Sequence, residues 1–181
     1  MRKINEIFYS LQGEGYYTGV PSVFIRFSGC NLKCSFCDTP HDTGSVMSDE
    51  QIIEQINAYP ANQVVLTGGE PSLWIDQDFI DKLHKAGKYI CIETNGTKKL
   101  PEKIDWITCS PKEGGKVCLT RIDELKLVFT GTDPSVWLHT PAKHYFLQPC
   151  SGQNTEEVIK YIQEHPQWRL SLQTHKLIHI Q

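Results

Sequence analysis

The amino-acid sequence predicts an α/β fold, built as an incomplete, abbreviated (β/α) barrel. Apolar runs rich in β-branched and aromatic residues recur along the chain. Several of these runs are nearly continuous, which is typical of parallel strands covered on both faces. Helical segments lie between some of them and favour right-handed βαβ units. These segments are too few for an eight-unit barrel, and we expect ligands to bind at the carboxyl ends of the strands.

The predicted strands are bounded by turn residues and share a β-branched and aromatic composition. In chain order they are SVFIRF (22–27), QVVLT (63–67), KYICIE (88–93), DWITCS (105–110), ELKLVF (124–129), HYFLQ (144–148), WRLSLQ (168–173) and the terminal KLIHI (176–180).

Three helices are predicted between these strands. Ser48 and Gln51 can form a capping box at the start of the first helix, which ends before Pro60. A second apolar stripe runs from Phe79 to Ala86 and is closed by Gly87. The third helix, NTEEVIKYIQEH (154–165), carries acidic residues in its first turn, where the helix dipole favours them.

Length and composition indicate one globular domain over residues 1–181. The chain is 39% hydrophobic and 22% charged, with a formal charge of -3, which does not suggest a nucleic-acid partner. It has no long apolar run and no secretory leader at its start, so we expect no membrane association and a cytoplasmic location. In that reducing compartment, seven cysteines are not expected to form a disulfide framework.

Three of those cysteines are crowded into the stretch SGCNLKCSFCDTP, residues 28–40. Cys30, Cys34 and Cys37 follow the spacing Cys-x-x-x-Cys-x-x-Cys, and soft thiolates at such spacing select zinc, copper(I) or an iron–sulfur cluster. His41 could complete a zinc site, whereas an iron–sulfur cluster held by three thiolates would leave one iron open. The other four cysteines stand singly and have no assigned role: Cys91, Cys109, Cys118 and Cys150.

The cysteine spacing resembles the signature of the radical S-adenosylmethionine enzymes. That resemblance implies a [4Fe–4S] cluster held by the three cysteines, with S-adenosylmethionine on the open iron. It also implies cleavage of the cofactor to a 5'-deoxyadenosyl radical. The GGEP turn after QVVLT resembles the family's segment that holds the methionine amino group, which assigns that role to Gly69 and Glu70.

A longer match covers nearly the whole chain. LQGEG and GVPSVFIRFSGCNLKCSFCDT, followed by TGGEP, ETNGT, SPK, QPCSG and LQTHK, resemble the 7-carboxy-7-deazaguanine synthases. The resemblance implies conversion of 6-carboxy-5,6,7,8-tetrahydropterin to 7-carboxy-7-deazaguanine, in queuosine and 7-deazapurine biosynthesis. This reaction is a radical ring contraction that loses ammonia and requires magnesium.

The same resemblance assigns further site residues. Arg26 is expected to pair with the substrate carboxylate and Thr39 to ligate Mg²⁺, which prefers hard oxygen ligands. Apart from the resemblance, LQTHKLIHIQ ends on an apparent strand, and a chain-terminal carboxylate can accept hydrogen bonds from a pterin edge, so we expect the Gln181 carboxylate to enter the substrate site. The remaining substrate contacts are Leu11, Gln12, Gly13, Glu14 and Thr67. The remaining S-adenosylmethionine contacts are Phe36, Cys37, Asp38, Ser110, Pro111, Lys112, Gln148, Pro149, Cys150 and Ser151.

Partners are implied by the resemblance alone. They are the small pterin substrate, an external electron donor such as flavodoxin or ferredoxin, and a second copy of the chain in a homodimer. Two other interpretations stay open at this point: an activase that generates a glycyl radical on a protein partner, and a noncatalytic iron–sulfur or zinc module. The LQGEG loop and Arg26 favour a small anionic substrate over the activase.

Overall fold

A computed structural model describes all residues, 1–181, as one nine-stranded sheet flanked by helices. The strands are β1 (Arg2–Leu11), β2 (Pro21–Phe27), β3 (Ser45–Met47), β4 (Gln63–Gly68), β5 (Tyr89–Thr94), β6 (Trp106–Cys109), β7 (Glu124–Phe129), β8 (His144–Pro149) and β9 (Trp168–Leu170). The helices are α1 (Asp49–Asn57), α2 (Gln77–Lys85), α3 (Thr155–Glu164) and the short α4 (Thr174–Leu177).

The sheet confirms the predicted incomplete barrel. Its strand order is β3-β1-β2-β4-β5-β6-β7-β8-β9, so β3 and β9 are free edges and the barrel does not close on itself. From β2 to β9 every pairing is parallel, whereas β1 runs antiparallel to β2 and to β3. Parallel strands present their carboxyl ends at one rim, which is where α/β folds bind ligands.

The main apolar core lies between the sheet and helices α1 and α2. Alternate residues of β2 point into it, and Val23, Ile25 and Phe27 are fully buried. Ile52 of α1 and Leu83 of α2 pack into the same cluster. The predicted capping box of Ser48 and Gln51 is present at the start of α1. At the end of α2, Gly87 has a φ of 75°, as a C-terminal glycine should.

The opposite face of the sheet is the concave interior. Phe24, Val65, Cys91 and Trp106 form a separate apolar cluster there, against which Phe8 and Tyr17 pack. One pleat further along the same strands, the inward positions become polar or charged. This layering leaves a polar chamber at the carboxyl rim, and the apolar cluster forms the layer beneath it.

Two strands were not predicted from the sequence. Strand β1 has a register irregularity between Ile4 and Glu6, and Ile4 and Ile7 consequently pack on the same core although they are three residues apart. A bulge of this kind breaks the two-residue alternation by which a strand is recognised. Strand β3 has only three residues, two of them exposed, so it carries no apolar signal.

The predicted terminal strand is wrong. Residues 174–177 form α4 instead, and Leu177 and Ile178 are 65% and 56% exposed. WRLSLQ forms a strand only over its first three residues. The segment after β9 then crosses from that edge to β1: Thr174 donates to the Gly13 carbonyl, and the Ser10 hydroxyl donates to the main-chain oxygen of Gln181 at 2.6 Å. None of the helices is long and apolar enough to span a membrane.

Candidate active site

A cavity of roughly 800 Å³ occupies the chamber at the carboxyl rim. Its walls come from the loop after β2, the ends of β4 to β8, the loop after β1 and the segment after β9. Of the predicted site residues, only Glu70 and Pro111 do not line it. Those that do are Leu11, Gln12, Gly13, Glu14, Arg26, Cys30, Cys34, Phe36, Cys37, Asp38, Thr39, Thr67, Gly69, Ser110, Lys112, Gln148, Pro149, Cys150, Ser151 and Gln181.

The three clustered cysteines lie on the irregular loop after β2. All three are free thiols that line the cavity, and Cys37 is exposed while Cys30 and Cys34 are half-buried. The Leu32 amide donates to the Cys30 sulfur at 3.4 Å, and burial raises the pKa of the Cys30 thiol. No three Cys, His, Asp or Glu side chains are arranged as a preformed metal site. The donor chemistry nevertheless fits an iron–sulfur cluster, because three unpaired thiols share one short loop on an open cavity.

The GGEP turn is packed directly against the start of this loop. The Glu70 amide donates to the Gly29 carbonyl at 2.9 Å, and the Gly69 amide donates to the Phe27 carbonyl at 3.1 Å. A β-carbon on Gly69 would collide with the carbonyl group of Gly29. Glycine is therefore required at position 69 for the turn to lie this close to Cys30.

The Glu70 side chain serves the turn itself and does not line the cavity. It is 0% exposed, and its carboxylate accepts hydrogen bonds from the Ser72 amide at 3.0 Å, the Thr94 hydroxyl at 2.7 Å and the Asn95 amide at 2.7 Å. It thereby ties the end of β5 to the GGEP turn. This arrangement favours a role in shaping the turn over direct contact with a ligand.

Further along the rim, Lys112 lies beside the cysteine loop. Its ammonium group is 5.6 Å from the centre of the Phe36 ring, and burial lowers its pKa. Ser110 is held by a hydrogen bond from its amide to the Thr94 carbonyl at 2.8 Å. On β8, the Gln148 side-chain oxygen Oε1 accepts from the Ser171 hydroxyl at 3.0 Å. These contacts fix one side of the cavity before any ligand binds.

The chamber floor holds a network that joins predicted substrate residues through Glu93. The Gln12 amide group donates to one Glu93 oxygen at 3.1 Å, and the Thr67 hydroxyl donates to the other at 2.9 Å. Lys126 of β7 lies 3.7 Å from Glu93 and 2.5 Å from Glu14. Neither Glu93 nor Lys126 was predicted as a site residue.

Arg26 is already engaged by one carboxylate. Its Nε donates to Glu6 at 2.7 Å, and the Gln181 amide group donates to the other Glu6 oxygen at 2.8 Å. The guanidinium also lies 5.6 Å from the centre of the Phe8 ring. No hydrogen bond engages its two terminal nitrogens, so they can receive a second anion in bidentate fashion.

On the opposite wall, the segment after β9 contacts the cysteine loop. Lys176 donates to Asp38 at 2.6 Å and Gln173 donates to the same oxygen at 3.2 Å. Burial by itself would raise the pKa of Asp38, but the bonds from Lys176 and Gln173 lower it overall. Thr39 follows directly and lines the cavity.

The missed site residues differ in how visible they were in the sequence. Glu93 and Lys126 are charged residues inside largely apolar strands, and both fall on the inward-facing register, so strand alternation could have identified them. Gln173 and Lys176 reach the site only because the segment after β9 turns back across the barrel opening. No local sequence signal predicts that course.

Comparisons with known proteins agree with this geometry. The sequence model of the radical SAM superfamily matches residues 24–108. A protein of Bacteroides thetaiotaomicron named 7-carboxy-7-deazaguanine synthase is 66% identical over 180 residues, covering 99% of each chain. A Bordetella pertussis protein of the same name is 41% identical and covers 98% of each. The crystal structure of QueE from Escherichia coli superposes with a TM-score of 0.79 at 31% identity, over 94% of this chain and 93% of that one.

Proposed function

The chain belongs to the 7-carboxy-7-deazaguanine synthase family of radical S-adenosylmethionine enzymes, and from that membership we propose a residue-level account of its active site. The reaction converts 6-carboxy-5,6,7,8-tetrahydropterin to 7-carboxy-7-deazaguanine by a radical ring contraction with loss of ammonia. The observation that carries the proposal is the cavity in which the three free thiols face Arg26 and the LQGEG loop. A single domain, residues 1–181, carries all of these groups.

The enzyme uses a [4Fe–4S] cluster and S-adenosylmethionine, which when bound supply the one-electron chemistry of the reaction. Cys30, Cys34 and Cys37 hold the cluster in our proposal. Their loop lacks regular secondary structure, so it can draw the three sulfurs together as the cluster assembles. Phe36, within this loop, and Lys112, 5.6 Å from its ring, would shield one side of the cluster from water.

The cofactor is proposed to lie between the GGEP turn and the ends of β6 and β8. Gly69 offers close approach of its backbone, whereas Glu70 acts by holding the turn in shape through Thr94 and Asn95. The remaining contacts are Phe36, Cys37, Asp38, Ser110, Pro111, Lys112, Gln148, Pro149, Cys150 and Ser151. Pro111 is buried behind its neighbours and contributes by fixing the backbone.

The substrate is proposed to lie across the polar floor. The terminal nitrogens of Arg26 bind its carboxylate, and Thr67 with residues 11–14 reads the edge of the pterin ring. Gln181 lines the same cavity, and its main-chain oxygen is held beside Ser10. That position supports the proposal that the terminal carboxylate accepts a hydrogen bond from the substrate.

Magnesium is the third proposed requirement. The Thr39 hydroxyl would supply one oxygen ligand, and substrate oxygens and water would supply the others, since Mg²⁺ retains several waters in protein sites. A reductant must deliver an electron to the cluster, and we propose flavodoxin or ferredoxin. We further propose that the enzyme is a cytoplasmic homodimer that serves queuosine and other 7-deazapurine biosynthesis.

An anaerobic assay tests this function directly. Cluster-loaded, reduced protein is incubated with S-adenosylmethionine, magnesium and 6-carboxytetrahydropterin, and product is followed by mass. Formation of 7-carboxy-7-deazaguanine is the expected result. If 5'-deoxyadenosine forms without that product, the proposed substrate is wrong. If the loaded protein yields neither, the proposed activity itself fails.

A further inference from the structure

Lys126 is a buried cation at the floor of the active-site cavity. It lies on β7 between Leu125 and Leu127, which point to the opposite face of the sheet, and only 6% of its surface is exposed. Burying an ammonium group is costly unless the charge is paired. Nearby carboxylates must therefore balance the charge of Lys126.

The partners of Lys126 are carboxylates that also line the cavity. Its ammonium group lies 2.5 Å from Glu14 and 3.7 Å from Glu93. Burial by itself would lower the pKa of Lys126, but the surrounding Glu14, Glu93 and Glu124 reverse that effect and raise it. In turn, burial by itself would raise the pKa of Glu14, but Lys126, together with Gln173 and His175, lowers it overall.

The other charges around this group come from three elements. Glu124 lies on β7 itself, where burial raises the pKa of its carboxyl group. Lys112 follows β6 and His175 belongs to α4. Lys126 is the cation within ion-pair distance of both Glu14 and Glu93.

Glu14 and Glu93 connect Lys126 to the substrate loop. Glu93 accepts from Gln12 and from Thr67, and the Glu14 amide donates to the Gln12 side-chain oxygen at 3.1 Å. Gln173 fixes the second Glu14 oxygen at 2.9 Å. A change at Lys126 is therefore transmitted through Glu93 to Gln12 and Thr67, and through Glu14 to Gln173.

We propose that Lys126 is a positioning residue that holds the Glu14 and Glu93 carboxylates at the cavity floor as hydrogen-bond acceptors for the N–H edge of the substrate's 2-amino-4-oxopyrimidine ring. This inference rests on the proposed function. A ring edge with an amide N–H and an exocyclic amine offers adjacent donors, which paired carboxylate oxygens match. A neutral carboxyl group would instead present a donor of its own. The lysine thus acts on substrate selection through Glu14 and Glu93.

The test compares Lys126→Met with Lys126→Arg, and uses Lys160→Met as a control because Lys160 is exposed on α3. Dissociation constants are measured by anaerobic equilibrium dialysis for 6-carboxytetrahydropterin and for its analogue that lacks the 2-amino group. For Lys126→Met we expect about tenfold or greater weakening for the parent compound. The loss of affinity in Lys126→Met should increase as the pH falls from about 8 to about 6. Without the lysine cation, burial raises the pKa of Glu14, so this carboxylate becomes protonated at lower pH and is lost as a charged acceptor. The ratio of the two dissociation constants, for the analogue without the 2-amino group and for 6-carboxytetrahydropterin, should also become smaller in Lys126→Met.

Lys126→Arg should keep the wild-type pH profile and preference, because it keeps the positive charge. A folded Lys126→Met protein with the wild-type affinity, pH profile and preference overturns the proposal. If Lys126→Met fails to fold, Glu14→Gln provides the test instead. This variant should bind 6-carboxytetrahydropterin more weakly and should discriminate less between that compound and the analogue without the 2-amino group. Unchanged binding of both compounds overturns the proposal. Failure of the wild type to bind the parent compound overturns the proposed function as well, so the two failures are distinguishable.

Discussion

Replacing Glu70 by glutamine separates a role in shaping the GGEP turn from direct contact with the cofactor. The Glu70 carboxylate accepts three hydrogen bonds, from Ser72, Thr94 and Asn95, and has no exposed surface. Glutamine keeps one oxygen for two of these donors but turns an N–H₂ group toward the third. The variant loses one charge-assisted bond and places two donors opposite each other.

The expected cost follows from those contacts. Losing a bond to a charged acceptor and leaving its donor buried costs about 2 to 4 kcal/mol. For a chain of this length, that loss lowers Tm by roughly 5 to 15 °C. The melting of cluster-free protein, followed by circular dichroism without S-adenosylmethionine, measures the effect where no ligand contributes.

Glu54→Gln serves as the matched control, because Glu54 is exposed on α1 and the substitution is the same. Its melting temperature should stay within about 1 °C of the wild type. The reasoning is refuted if Glu70→Gln also melts like the wild type while the loaded enzyme loses affinity for S-adenosylmethionine. That result would place the Glu70 carboxylate on the cofactor.

Four further outcomes are expected. Cys30→Ala should abolish cluster incorporation, measured by iron content and the visible spectrum, whereas the exposed Cys118→Ala should load normally; a fully loaded Cys30→Ala protein would contradict the assignment. Thr39→Ala should weaken the dependence of turnover on magnesium, and an identical magnesium titration would clear Thr39 of that role. Arg26→Gln should raise KM for the carboxypterin by about tenfold or more, because it removes a charged partner of the carboxylate; a substrate analogue without the carboxylate should not distinguish the variant from wild type. Extending the chain by a few residues beyond Gln181 should raise KM sharply with little change in cofactor cleavage, and unchanged kinetics would remove Gln181 from the site.

The parallel strands were predicted well from the sequence, because each has an apolar pattern that can be recognised within its own few residues. Val23, Ile25 and Phe27 alternate with inward-facing residues, and α1 carries its own capping signal at Ser48. Strand β1 escaped prediction because its bulge disrupts that alternation. The terminal KLIHI has strand composition, but its backbone bonds within the segment: the Ile178 amide donates to the Thr174 carbonyl and the Ile180 amide to the His175 carbonyl, both at 3.0 Å.

In the candidate site, too, residues in local motifs were predicted, whereas those brought together by the packing of distant segments were not. Residues in contiguous motifs, such as Cys30 to Thr39 and the GGEP turn, were found because their spacing is local and specific. The floor network depends on which strands are neighbours: Lys126 reaches Glu14 across 112 positions of sequence. For Glu70, the GGEP motif was recognised from the sequence. The hydrogen-bond partners of its carboxylate, Thr94 and Asn95, became known only from the way the end of β5 packs against the turn.

The segment after β9 closes the barrel opening without joining the sheet. Its links to β1 and to the cysteine loop are individual side-chain hydrogen bonds, including those of Ser10, Asp38 and Glu6, rather than a backbone ladder. Such a wall can detach by local unfolding at a small fraction of the free energy that would open the sheet. The amide hydrogens of residues 174–180 should therefore exchange with solvent much faster than those of β4 and β5. Opening of this segment would give the substrate a route into and out of a chamber whose remaining walls stay folded.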